Sequence, residues 1–165
     1  MEDMIVRLED FKNEASIPGL LPESDFASPA NDIIRESVED YIAKYEPQFL
    51  RDFLRDEDID RFFNYSELAD SDQTDSVLNG QLARLRFSIS CFVAFHWFRS
   101  QTNTMIGGVV LGSENGRNVS LGDTMVTLWN QMVANNIVLH KDIYGDGLKY
   151  DKGNELFRNV NGLNI

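Results

Sequence analysis

The sequence predicts a mainly α fold: a helical bundle of about four helices, with a long loop or β-hairpin between the last two long helices and extended termini. Three observations predict it. Apolar residues recur at spacings of three and four through much of residues 29–143, the period of helices that bury one stripe. Ser28-Pro29 and Pro47 stand where that pattern starts and bends, as helix punctuation requires. Gly107, Gly108, Gly112, Gly116 and Gly122 crowd residues 102–122, too many for a helix interior at ~1 kcal/mol each.

The chain divides into an N-terminal arm (1–28), a helical domain (29–143) with a projecting loop (102–122), and a C-terminal tail (144–165). In the arm, Ile5, Val6, Leu8 and Phe11 are isolated apolar positions ahead of the loop signature Ile17-Pro18-Gly19-Leu20-Leu21-Pro22. That is a poor core: a short strand, a segment lying along a neighbouring subunit, or a partly ordered terminus. Ser28 then reads as an N-cap with Pro29 at the first helical position. Ile33, Ile34, Val38, Tyr41, Ile42 and Tyr45 form the stripe of a first helix over about 30–45. Pro47 predicts a bend and a second helix burying Phe49, Leu50, Phe53 and Leu54, with Ile59, Phe62 and Phe63 in a short further turn.

Residues 66–76 have almost nothing to bury and read as a solvated loop. From Val77 to Trp97 a long helix is apolar nearly all round in its second half, which suits the centre of a bundle or a subunit contact. In the excursion, Ser113-Glu114-Asn115-Gly116 carries a hairpin turn signal. Met125, Leu128, Trp129, Met132, Val133 and Ile137 mark the last helix, after which Tyr150, Leu156, Phe157, Val160 and Leu163 are irregularly spaced in a polar tail.

A chain of 165 residues with 42% hydrophobic content fits one packed domain. Its net charge of −12 repels polyphosphates and anionic membrane surfaces, so sequence-specific nucleic-acid binding is not expected. The single Cys91, among Ile89, Phe92 and Val93, reads as a small core hydrophobe in a reducing setting. The acidic start Met1-Glu2-Asp3-Met4 is unlike a signal peptide, and no apolar run is long enough to span a bilayer.

Motifs for chemistry fail one by one. Gly107-x4-Gly112 has a phosphate-loop spacing but is followed by Ser113-Glu114 in place of Lys-Ser/Thr. Asp142-x-Tyr144-x-Asp146-Gly147 resembles a calcium loop at its edges, yet Tyr144 replaces an oxygen ligand and Gly153 stands where the bidentate Glu belongs. Cys91 and His96 fall on different helix faces; His96 reads as a core or boundary histidine, and His140 as a cation at a helix C-terminus. The acids Asp52, Asp56, Glu57, Asp58 and Asp60 read first as a solvated face. Phe92, Phe95, Trp97, Phe98 and Trp129 read as core packing before a pocket lining. No catalytic, cofactor-binding or metal-binding residue is assigned, and no enzyme is expected.

Three stretches carry a likeness: Tyr41-Ile-Ala-Lys-Tyr-Glu-Pro-Gln-Phe-Leu-Arg-Asp-Phe-Leu54, Phe95-His-Trp-Phe-Arg99 leading into a Thr/Gly/Val loop, and Met125-Val-Thr-Leu-Trp-Asn-Gln-Met-Val133. In order and pattern the chain resembles the small head-to-tail connector (adaptor, or ring) proteins of tailed bacteriophages, closest to those of Bacteroides-type and crAss-like phages. The likeness covers roughly residues 30–145. It departs where Arg55-Asp56-Glu57 replaces the Leu-Gly that often follows the opening motif.

The resemblance implies a virion protein assembled in the host cytoplasm: a homo-oligomeric ring, commonly of about twelve copies, in the neck between portal and tail. Its implied partners are the portal protein and other neck or tail rings, and DNA passes through it without specific binding. Rings need one surface of each subunit to complement a different surface of the next. The expected contact residues are Met105, Ile106, Val109, Val110 and Leu111 in the loop, and Tyr150, Leu156, Phe157, Val160 and Leu163 in the tail. The alternatives are a small acidic enzyme or ligand-binding bundle with a site near Asp56, Asp58 and Asp60, or an intracellular module binding a partner helix through Phe92 to Phe98.

Overall fold

The computed structural model describes residues 4–20, 29–69, 71–104, 110–114, 117–145 and 154–161. They are mainly helical: α1 (Pro29–Phe53), α2 (Asp56–Ser66), α3 (Ser76–Thr104) and α4 (Leu121–Tyr144). Between α3 and α4, strands β1 (Val110–Glu114) and β2 (Arg117–Ser120) pair antiparallel, with Leu111 opposite Val119 and Glu114 opposite Arg117. Short 3-10 turns occupy Leu8–Asp10, Asn13–Ala15 and Glu155–Phe157. α3 is the hub, packed against α4, α1, α2 and the N-terminal turns.

Helix α1 does not break at Pro47. It runs unbroken from Pro29 to Phe53, because a continuous helix keeps Ile42, Glu46, Phe49, Leu50 and Phe53 on one buried side. An interior proline costs ~3 kcal/mol, while burying each large apolar side chain contributes ~1.5–3 kcal/mol, so the stripe outweighs the proline, whose own ring is exposed. The bundle still has four helices, since the residues read as a short further turn form α2. Its first turn carries Asp56, Glu57 and Asp58 beside the positive end of the helix dipole.

The loop before α3 is fastened at both ends. Asp75 caps α3, its Oδ1 accepting the N–H groups of Val77 at 2.9 Å and Leu78 at 3.1 Å. The Tyr65 hydroxyl accepts the Asp75 N–H at 3.1 Å and donates to Asn79 Oδ1 at 3.1 Å. Further along, every residue from Ser88 to Phe95 is buried. Of the two roles open to a helix apolar all round, α3 takes the central one, and its faces are covered by its own chain. The two serines of this stretch are satisfied: Ser90 Oγ donates to Arg86 O at 2.8 Å, and Ser88 Oγ accepts from Asn135 Nδ2 at 2.7 Å. Cys91 lies fully inside this core, and burial pushes its thiol up to about 12.

Part of that cover is the segment read as a poorly buried arm. Ile5, Val6, Phe11, Ala15, Ile17 and Leu20 are all buried in the one core. The segment is pinned by Glu46 of α1, only 2% exposed, whose two oxygens accept the N–H groups of Ile5 at 2.8 Å and Val6 at 3.0 Å. Arg86 of α3 donates to Ile5 O at 3.0 Å. Burial raises the Glu46 carboxyl above its ordinary value, opposed by those two N–H bonds and the Arg86 charge. At the end of the segment Gly19 has φ +81°, and a Cβ there would lie 2.8 Å from Ile34 Cδ1; the left-handed backbone favours glycine and a side chain would be strained there.

Candidate functional site

On α3, Phe92, Phe95, His96 and Arg99 follow the i, i+3, i+4, i+7 spacing that puts them on one face. Trp129 of α4 meets this face, its ring 4.7 Å from Phe95 and 6.0 Å from Phe92 between centroids. Gln48 of α1 closes one side, and the segment 154–161 closes the other with Glu155, Arg158 and Asn159. The result is a cleft of about 310 Å³ with an aromatic floor and a polar rim. An adjoining hollow of about 510 Å³ shares Gln48, Phe92, Trp129 and Glu155 and extends the groove past Arg51, Asp52 and Asn154.

The wall formed by the C-terminal segment is held by side-chain amides that read its backbone. Asn130 makes a two-way clasp on Val160, donating to its O at 3.0 Å and accepting its N–H at 2.9 Å. Trp129 Nε1 donates to Arg158 O at 2.8 Å, and Asn136 Nδ2 donates to Leu156 O at 2.8 Å. Asn154 Nδ2 ties the segment to the end of α1 by donating to Asp52 O at 2.7 Å.

His96 is a wall of the groove. Its ring stacks on Tyr45 with centroids 4.1 Å apart and planes 7° from parallel, and meets Phe92 edge-on at 4.6 Å. Burial, then the Arg99 and Lys44 charges, lower its pKa to about 4, so the imidazole is neutral at physiological pH. The cations of the groove are therefore Arg51, Arg99 and Arg158, against Asp52 and Glu155. Among the described residues, Arg51 and Arg158 enter no ion pair. In a chain of net charge −12 this is a local reversal of sign.

The residues expected to make partner contacts divide. Met105, Ile106, Val109, Tyr150 and Leu163 lie outside the described residues. Val110 and Leu111 are in β1. Leu156 is 3% exposed, Phe157 stacks on Phe53 at 5.7 Å, and Val160 packs on the core. Leu156 is buried and Phe157 and Val160 half-buried against the chain's own helices, because α4 offers both an apolar seat and amides for the tail's backbone.

Other expectations also change. His140 is not a helix-end cation: it is 7% exposed, with Phe53, Phe157 and Tyr144 around its ring, and burial and Arg55 lower its pKa. The acidic site near Asp56, Asp58 and Asp60 loses its centre, since Asp58 accepts the Tyr144 hydroxyl at 2.8 Å and pairs with Arg61 at 3.7 Å, while Asp56 and Asp60 are exposed. Phe92, Phe95 and Trp129 are both core and groove floor; Phe98 is core, and Trp97 donates from Nε1 to Ser37 Oγ at 3.2 Å. Sequence reading missed Gln48, Arg99 and Arg158. The helical spacing of Arg99 from Phe92 and Phe95 was the available signal; the tail residues reach the groove through long-range contacts that no local pattern encodes.

No protein-family model matches the chain, and no curated protein or solved structure matches it. Among the described residues no helix is long and apolar enough to cross a membrane.

Proposed function

We propose that the chain is a structural subunit of a tailed-phage head-to-tail connector, forming a ring in the neck through which DNA passes. The observation that carries the reading is a helical body whose central helix is covered by its own chain, interrupted between α3 and α4 by an apolar, glycine-rich insertion. The middle of α3, Ser88 to Phe95, is buried by its own chain, and among the described residues β1 and β2 pair with each other in a two-stranded sheet between α3 and α4. A self-sufficient helical body with an apolar, glycine-jointed insertion suits assembly through the insertion. The contact residues are then Met105, Ile106, Val109, Val110 and Leu111. The net charge of −12 suits a conduit, because like-charge repulsion keeps DNA phosphates from adhering.

The portal and neighbouring neck or tail rings are the proposed partners, the virion the proposed location, and the role is assembly without catalysis. Deleting residues 107–116 tests the reading. The variant is expected to keep its helical circular dichroism yet fail to assemble with itself and the portal. Loss of helical signal would make the excursion part of the core, and undiminished assembly would remove its contact role.

A further inference from the structure

The groove between α1, α3, α4 and the tail has no part in an assembly that works through the 105–120 excursion. We propose that it is a binding site for a small aromatic anion, a planar ring carrying a carboxylate or a phosphate. Its floor is lined by Phe92, Phe95 and Trp129, whose side chains are otherwise buried in the core, an apolar surface against which a planar ring gains area burial. His96 adds a neutral stacking wall, since its pKa of about 4 removes it as a cation above that pH. The rim then sorts ligands by charge. Arg99 and Arg158 both line the cleft, one from α3 and the other from the clasped tail, and guanidinium groups meet carboxylates and phosphates with paired donors. Gln48 and Asn159 supply neutral polar groups beside them, and Glu155 on the same rim offsets one of the two positive charges, leaving the cleft's own lining at a net +1.

The volume of about 310 Å³ is at the lower end for small-molecule sites, enough for one substituted ring. The adjoining hollow at Arg51 gives room for a longer substituent on the same ligand. All the walls belong to one subunit, so binding does not require assembly.

Titration of the full chain with phenyl phosphate and benzoate tests the proposal. Trp129 fluorescence, read in a Trp97→Phe background, and calorimetry on the unmodified chain report binding. Saturable binding of at least one probe is expected with Kd below about 1 mM, and the preferred probe tells a phosphate site from a carboxylate site. Arg158→Gln should weaken it by about tenfold or more, the effect of losing a charge-assisted contact. That variant leaves the fold in place, because the Arg158 group taken by Trp129 is its backbone carbonyl. Benzyl alcohol and inorganic phosphate, each carrying half of the required chemistry, should bind at least about tenfold more weakly. The proposal is overturned if neither probe saturates by about 10 mM, if either half-ligand binds as tightly as the whole, or if Arg158→Gln leaves Kd unchanged.

Discussion

Replacing Glu46 tests how the N-terminal segment becomes part of the core. The carboxylate is 2% exposed and accepts the N–H groups of Ile5 at 2.8 Å and Val6 at 3.0 Å. Glu46→Ala strands both donors in a buried setting at ~1–3 kcal/mol each, a gross loss of ~2–6 kcal/mol. Some of that is offset, because the variant no longer desolvates a carboxylate; a net loss of ~2–3 kcal/mol is expected. Glu46→Gln keeps the volume but turns an NH2 group toward one of the two N–H groups, so it loses about half of the pairing, ~1–2 kcal/mol. Urea unfolding followed by circular dichroism measures the totals, and trypsin cleavage after Arg7 and Lys12 reports release of the segment. Both variants should lower the unfolding midpoint, in the order Ala below Gln, and speed that cleavage. Stabilities within ~0.5 kcal/mol of the parent, with cleavage unchanged, would refute the view that Glu46 fastens the segment.

Lowering the pH should destabilise the fold through His96. Its native pKa of about 4 lies below the ordinary 6.5, so its contribution is complete above pH 6.5 and is lost as pH falls toward 4, where the unfolded chain takes the proton first. The ring's partial exposure brings the expected loss to ~1–2 kcal/mol, and His96→Phe, which keeps the stack on Tyr45, should flatten that part of the stability profile. Gly19→Ala should cost ~1–3 kcal/mol in urea unfolding, combining a left-handed backbone with a Cβ 2.8 Å from Ile34 Cδ1; an unchanged midpoint would contradict the turn described. Asn130→Ala removes both bonds to Val160 and should lower stability by ~1–2 kcal/mol, with amide exchange accelerated at Val160 and not in α3. Uniform acceleration through the bundle would mean that the tail and the helices open together.

Much of the helical architecture was legible because it is local. The stripe of α4, the acidic loop ahead of α3 and the proline that opens α1 are short-range patterns, and each lies where periodicity and capping predict. Pro47 misled because its penalty is a local quantity, whereas the burial of Phe49, Leu50 and Phe53 that overrides it is tertiary. The terminal segments misled for the same reason. Ile5, Val6 and Leu156 have no regular spacing; they are buried because Glu46, Arg86 and Asn136, distant in sequence, supply partners for their irregular backbone. The apolar faces of α3 that invited neighbouring subunits are met by these segments instead. The groove was half legible, through the aromatic spacing on α3; its second wall exists only once the tail has docked.

The proposed role stands or falls on assembly. Mass photometry and negative-stain imaging of the purified full chain, alone and mixed with the portal protein of the same genome, measure it directly. The account predicts closed rings, formed alone or on the portal, that disappear when residues 107–116 are deleted. A chain that stays monomeric at all concentrations and never associates with the portal would contradict it.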